Sequence, residues 1–454
     1  MISIASLTPR RGRNVELLLL ILAASIVMIA YANVEVAARE ELPPHLLALG
    51  AGLLGIALAF HLVLRWRASY ADPLLLPIAT LLNGLGLVML HRIDIARGTD
   101  LGAGLAVRQL TWSALAVAIA AGVLILLRDH RLLRRYTYSA GLIAVILLLM
   151  PLLPFIGREV YGARIWINIG NFSFQPGEVA KIALAVFFAG YLVTARDALS
   201  VAGKKVLGMV LPRGKDLGPI LVAWILAMGI LIFQRDLGSS LLFFGLFIAM
   251  LYVATERVSW IAIGVSLLAI GTYFAYGFFA HLQARIHLWL DPFATGQSDQ
   301  VAKGLMGLAA GGLLGTGLGR GRPTETYFAE SDFIIPSFGE ELGLIGLFAM
   351  ILLYALLVER GLRAGIGVRD GFGKLLAAGL AFSIALQCFV VIGGVTRVIP
   401  LTGLTTPFLS AGGSSLLANW TVIALLLRIS DQARRPVEDP PAVSTAEPTE
   451  VVRR

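Results

Sequence analysis

The chain has 454 residues, of which 57% are hydrophobic and only 14% charged, with a formal net charge of +9. That is too apolar for a soluble domain of this length, and repeated runs near the roughly 20 residues that cross a bilayer read as a polytopic, all-α membrane bundle. The single Cys388 excludes internal disulfides and multi-cysteine metal sites, and the six scattered His form no HExxH motif. In such a chain the surplus of Lys and Arg faces anionic membrane lipids, not nucleic acid.

Candidate spans run over 15–33, 45–64, 73–90, 109–127, 137–155, 178–195, 217–233, 238–255, 258–280, 341–358, 373–395 and 414–430. The first run has no small-residue cleavage site and more spans follow it, so it reads as retained. Basic residues fill alternate connections: Arg10, Arg11 and Arg13; Arg65 and Arg67; Arg128, Arg131, Arg134 and Arg135; Arg196, Lys204, Lys205, Arg213 and Lys215; Arg360, Arg363, Arg369 and Lys374; Arg434 and Arg435. The positive-inside rule then puts both termini in the cytoplasm and 91–108, 156–177, 281–340 and 396–413 outside. From Asp431 to Arg454 the chain is rich in Pro, Glu, Thr and Val without apolar periodicity, which reads as a disordered tail.

Glu178 and Lys181 open the sixth span three residues apart, on one helical face. Charges inside a span are costly and belong either to function or to a pair that orients helices. Gln234, Arg235, Asp236 and Gly238 form a turn between the seventh and eighth spans, where turn chemistry alone would explain the Gly and tolerate the Asp. The long stretch 281–340 carries Arg285, Trp289, Asp291, Lys303, Arg320 and Arg322 with the glycine run GLAAGGLLGTGLGRGR. No GK[ST] follows those glycines, so they are not a nucleotide motif. They suit a re-entrant or surface-lying segment that packs closely, with Arg320 and Arg322 ready for phosphate. In TETYFAESDFIIPSFGEELGLIG (324–346), Asp332 lies among apolar and aromatic neighbours. It is either a general base at the membrane surface or the N-cap of the next helix, and the residues alone leave both open. Finally, Pro400, Pro407, Gly412 and Gly413 forbid a simple helix over 396–420, where Thr402, Thr405, Thr406, Ser410, Ser414 and Ser415 offer hydroxyls.

Together these stretches resemble the SEDS family of peptidoglycan glycosyltransferases, the RodA and FtsW proteins. The resemblance rests on ARxWxxxGxxxFQPxExxK (Ala163 to Lys181), a Gln-x-Asp-Leu-Gly turn (Gln234 to Gly238), GGLxGxGLG continuing to DFIxxxxGEELGxxG (Gly311 to Gly346), and a Pro-x-Thr-Gly-Leu block (Ile399 to Ser415). It covers roughly 70–430, so 1–69 is expected to be an extension adding two spans to a family core of ten, about twelve in all. Six positions depart from the usual pattern: Arg235 for Pro, Gly177 for Ser, Glu330-Ser331 for His-Thr, Ala411 for Tyr and Val391 for Asn.

The resemblance implies polymerisation of lipid II outside the cytoplasmic membrane, with Asp332 as the catalytic carboxylate. It implies Glu178, Lys181, Asp236, Lys303, Arg320, Arg322, Glu341, Thr402 and Ser414 as substrate-binding groups, and a class B penicillin-binding protein (a transpeptidase) as partner. The polyprenyl diphosphate leaving group needs cations; Arg320, Arg322, Lys303 or a divalent ion, magnesium or manganese, are the candidates. The wording TRVIPLTGLTTP and the short tail lean toward the RodA branch of a high-GC, actinobacterial kind. A flippase for lipid-linked sugars and a non-catalytic scaffold for a penicillin-binding protein are the competing readings.

Overall fold

In hydrocarbon every backbone N–H must find its partner inside the protein, so the apolar runs fold as α-helices. The structure, a computed structural model, describes residues 12–40, 46–99, 103–160, 162–170, 172–200, 205–206, 209–210, 217–293 and 299–436. The extension supplies α1 (Arg13–Arg39) and α2 (Leu46–Arg67). Then come α3 (Leu75–Ala96), α4 (Leu105–Leu126), α5 (Thr137–Leu149), α6 (Pro176–Ser200), α7 (Gly218–Gly229), α8 (Leu237–Thr255) and α9 (Val258–Phe278). The C-terminal part holds α10 (Ala280–Leu290), α11 (Asp299–Gly311), α12 (Ile334–Gly367), α13 (Gly371–Val395) and α14 (Gly413–Arg434). Among the described residues, 11 helical segments are long and apolar enough to span a membrane. The expected span at 217–233 is the exception: α7 is short and runs into a π turn, Ile230–Gln234.

Three expectations need correcting. The stretch 281–340 is not one long loop; α10 and α11 occupy much of it, and α12 begins at Ile334, so Glu340 and Glu341 are helical. The loop 156–177 holds a small antiparallel sheet of β1 (Gly157–Val160), β2 (Ala163–Ile169) and β3 (Phe172–Phe174), with Gly157 opposite Ile167 and Ile167 opposite Phe174. The tail does not start at Asp431: that residue is fully buried within α14 and accepts from the Tyr70 N–H at 2.9 Å. The rest of the expected tail from 437 onward lies outside the described residues, as do Arg10, Arg11, Lys204, Arg213 and Lys215.

Helices α3 and α14 are enclosed on nearly all sides and form the centre of the bundle. Small residues bring α12 and α13 close, because a Cβ on Gly361 would meet Ala381 at 2.8 Å and one on Gly365 would meet Ala377 at 3.2 Å. At the end of the bundle that carries α1's first turn, buried charges are tied together. Arg13 and His61 hold Glu16 at 2.6 Å each, and Asp72 faces both Arg360 and Arg434.

Helix α12 breaks at Gly343, which sits at φ 67° and ψ −171°, outside the range of an L side chain. The backbone groups released by the break are taken up by the glycine run. Thr316 and Gly317 donate to the carbonyls of Glu340 and Glu341 (2.9 and 3.0 Å), while Leu344 and Ile345 donate to Gly312 and Leu313 (3.0 and 3.2 Å). A Cβ on Gly311 or Gly315 would strike the α12 backbone, so the glycines are there for close approach. The close packing expected of this stretch is thus observed.

Gly86 on α3 brings that helix against the irregular turn at 407–410: a Cβ there would lie 2.6 Å from the Leu409 carbonyl oxygen and 2.7 Å from that of Phe408. Backbone cannot yield as a flexible side chain can. We expect Gly86→Ala to destabilise the folded protein by about 1–3 kcal/mol, read as a lower midpoint of thermal unfolding in detergent.

Candidate functional site

Asp332 ends the irregular stretch before α12. It does not cap that helix: the N-cap is Phe333, and no side chain bonds there. The carboxylate is buried beside Phe333, Ile334 and Ile335, and this desolvation pushes its pKa up to about 6; its own backbone N–H and Arg285 oppose the shift, and Glu330 adds to it. Its backbone is held from several directions. Ser410 Oγ donates to the Ser331 carbonyl at 2.6 Å, the Ala411 N–H donates to the Glu330 carbonyl at 2.7 Å, and Arg97 holds the Glu330 carboxylate at 2.6 Å. Gln109, on α4, clamps the partner loop by donating to the Ser410 carbonyl and accepting from the Gly412 N–H.

Asp236 N-caps α8 by accepting from the Ser239 N–H at 3.1 Å, while its Oδ2 has no hydrogen-bond partner. Burial raises its pKa as well, and Arg285 is again among the opposing groups. Arg285, on α10, donates to the carbonyls of Leu401 and Thr402 at 3.0 and 3.2 Å. One guanidinium therefore serves two buried carboxylates and the backbone of the Pro-x-Thr-Gly-Leu block. The preceding residue, Arg235, takes left-handed backbone at φ 56°, an unusual conformation for a non-glycine residue.

Glu178 and Lys181 are paired at 2.9 Å, as the three-residue spacing predicts, but the pair is deeply buried. Lys181 Nζ also donates to Gln387 at 2.8 Å and Asn419 at 3.3 Å. Gln387 in turn donates to the Thr405 carbonyl at 2.9 Å, and Ser415 Oγ accepts from Asn419 and Thr405. The pair thus ties α6, α13 and α14 to the non-helical block 401–412. Thr402 is in this block through its backbone, and Ser414 is buried in the first turn of α14.

Lys303, on α11, places its ammonium 4.5 Å over the Tyr327 ring. Its neighbour Gly304 lies against Phe333, so α11 flanks the Asp332 turn. Arg320 and Arg322 are exposed and make no ion pair among the described residues. Their loop is anchored further along α12: the Arg322 N–H donates to Glu340 at 2.9 Å, and Glu341 accepts from the Gly319 N–H at 2.8 Å and from Arg92 at 3.0 Å. Nine residues separate Asp332 from Glu341, roughly 13 Å at 1.5 Å per residue, so the two regions are adjoining and not coincident. Glu341 acts here as a loop anchor.

The residues missed by sequence reasoning are Arg92, Gln109, Gln387 and Asn419, and for Arg285, noted among the charges of 281–340, the role was missed. Gln387 and Asn419 were findable as polar residues inside apolar spans. The role of Arg285 was not legible, because its carbonyl partners lie over a hundred positions away. Among the described residues no three His, Cys, Asp or Glu side chains converge on one point.

A many-span helical bundle with a buried, proton-competent carboxylate, and near it exposed cations that make no ion pair among the described residues, defines a polytopic membrane protein suited to chemistry on an anionic, lipid-borne substrate. The chain is matched over residues 73–435 by the family model described as "Cell cycle protein" (FtsW, RodA, SpoVE), and it belongs to that family. It is 48% identical to the peptidoglycan glycosyltransferase RodA of Mycobacterium tuberculosis, covering 97% of this chain and 96% of that one. The probable peptidoglycan glycosyltransferase FtsW of Trichlorobacter lovleyi is 33% identical over 80% of this chain and 94% of its own. In fold it matches the Thermus thermophilus rod shape determining protein RodA (TM-score 0.55, 24% identity, 81% and 98% coverage). It also matches a chain of a peptidoglycan synthase complex (TM-score 0.63, 24% identity, 80% and 98% coverage).

Removing one member of the Glu178–Lys181 pair leaves the other buried without its counter-charge. We expect Lys181→Met to cost about 3–5 kcal/mol of stability, and the Glu178→Gln, Lys181→Met double variant to cost less than the two single effects summed. Thermal unfolding of the four proteins in one detergent measures the cycle; strict additivity would remove the coupling.

Proposed function

We propose that this chain is a peptidoglycan glycosyltransferase that polymerises lipid II into glycan strands at the outer face of the cytoplasmic membrane, in the manner of the RodA branch that serves elongation. The names of its relatives support the reaction class. The observation that carries the mechanism is Asp332: a buried carboxylate with pKa about 6, not engaged as a helix cap, with the Lys303 helix against its turn. An acceptor sugar hydroxyl is a weak nucleophile. As its oxygen bonds to the donor's anomeric carbon, its proton passes to Asp332, and the bond to the polyprenyl diphosphate breaks with the electron pair leaving on the diphosphate. One displacement inverts the anomeric centre and needs no second carboxylate. Arg320, Arg322 and Lys303 supply positive charge for the leaving group. No step is assigned to a metal; a magnesium or manganese ion would supply further positive charge for the leaving diphosphate.

The alternation of basic connections supports a topology with both termini in the cytoplasm and the Asp332 region outside. A cysteine placed at exposed Thr324, with Cys388 replaced, is expected to react with an impermeant reagent in intact cells. Reaction only after permeabilisation would overturn the orientation. For the partner, a class B penicillin-binding protein, we assign its membrane helix to the apolar groove between α12 and α13. That groove has a volume of about 810 Å³ and is walled by Ile351, Tyr354, Phe389 and Ile392. The synthase complex matched in fold, in which polymerization and crosslinking are coordinated, supports a partner of this kind.

Asp332→Asn preserves shape but cannot accept a proton. The variant is expected to fold, to bind the transpeptidase and to lose about 100- to 10,000-fold in lipid II polymerisation. Polymer formed at the wild-type rate would make Asp332 structural and favour the scaffold reading, and lipid II crossing liposomes without polymerisation would favour the flippase. The pH dependence follows from the raised pKa. The base form is present above about 6 and lost below it, so kcat/KM is expected to fall about tenfold per pH unit on the acid side and to level off above it.

A further inference from the structure

The family match begins at residue 73, so α1 lies outside it, yet α1 is built into the glycine-rich loop that carries Arg320 and Arg322. The contact has two parts. Gly319 is at φ +85°, and a Cβ on it would meet Ala37 at 2.8 Å and the Val34 carbonyl oxygen at 2.9 Å, so the loop backbone rests directly on α1. Beside it, Leu318 packs on the apolar cluster that includes Val27, Tyr31 and Val34. The second part is polar. Glu35, buried on α1, is bonded to His91 Nε2 at 2.6 Å, and Tyr31 packs on the His91 ring with centroids 4.6 Å apart and the rings tilted by 33°. The next residue on α3, Arg92, faces the loop, donating to the Gly321 carbonyl at 2.6 Å and to Glu341 at 3.0 Å. Thus α1 holds His91 while Arg92 holds the loop, and α1 and the loop together wall a cavity of about 590 Å³ that Arg320 lines opposite Asn33 and Glu40.

We propose that α1 is a positioning element for the diphosphate side of the site, with Glu35 and Ala37 as positioning residues that fix the loop presenting Arg320 and Arg322. The inference rests on the glycosyltransferase reading for its kinetic consequence but not for its structural one. Without α1, Gly319 and Leu318 would lose one wall, and the loop would be held only by α12 and by Arg92 of α3. The two arginines would then have to be ordered when the substrate binds, which raises KM and leaves the proton transfer at Asp332 largely untouched.

Two readouts test this on the full-length protein. Amide hydrogen exchange over residues 312–325 is expected to speed up by roughly tenfold in Glu35→Ala and in Ala37→Leu, with exchange over α13 and α14 unchanged. With lipid II as substrate, both variants are expected to raise KM by about fivefold or more while kcat stays within about twofold, the reverse of Asp332→Asn. Glu35→Gln, which can still bond to His91, should restore most of the wild-type behaviour, and Leu18→Ala on the exposed face of α1 should change neither readout. In an Arg320→Ala, Arg322→Ala background, Glu35→Ala should add nothing further to KM. Unchanged loop exchange in both α1 variants, or a fall in kcat at constant KM, overturns the proposal. A wild-type protein that makes no polymer would fail the functional reading instead, and the exchange experiment would still decide this one.

Discussion

The structure depends on what happens to backbone that leaves a helix inside an apolar bundle. Without water, each freed N–H and carbonyl must be answered by the protein. At Gly343 the helix α12 breaks, and the glycine run 311–317 lies against the break, exchanging hydrogen bonds with it in both directions. This exchange places one of the two irregular parts of the site. It sets where the loop with Arg320 and Arg322 emerges, and it turns Glu340 and Glu341 inward to hold that loop.

The same requirement explains the second irregular stretch, 401–412. Its carbonyls are met by Arg285, Gln387, Tyr354 and Gln109, each from a different helix. A segment held from so many sides is rigid, and it is this segment that holds the Asp332 turn through Ser410 and Ala411. The carboxylate therefore inherits its position from a network of side chains that never touch it. Its raised pKa has the same origin, since enclosure removes water while a single guanidinium, Arg285, keeps the charged form accessible.

Buried charge in this protein follows one pattern. Glu16, Glu35, Glu178 and Glu341 each face a basic partner from a helix face or a neighbouring helix, and most of those partners also hold other groups. Such pairs give little net stability relative to apolar packing, but they select one arrangement of helices, because any other would strand a charge. The departures from the family pattern are absorbed in kind. Glu330 gains an ion pair with Arg97, and Ala411 keeps the backbone bond to the Glu330 carbonyl, which needs no side chain.

The sequence alone determined the class of protein, every expected span but the one at 217–233, and the motifs that carry the family. Hydrophobic run length and residue identity are local, and a bilayer or a helix reads them locally. It also determined that Glu178 meets Lys181, since three residues apart on a helix is a distance set by its pitch. Only the tertiary structure decided that Asp332 is a buried carboxylate and not a cap, because that choice rests on Phe333 taking the N-cap position and on Ser410, Ala411 and Arg285 arriving from elsewhere in the chain. It likewise decided that Glu341 anchors the loop and that α1 supports it. The partners involved, Arg92 and Gly319 for one and His91 for the other, are joined by packing across separate helices, and no spacing along the chain encodes such a meeting.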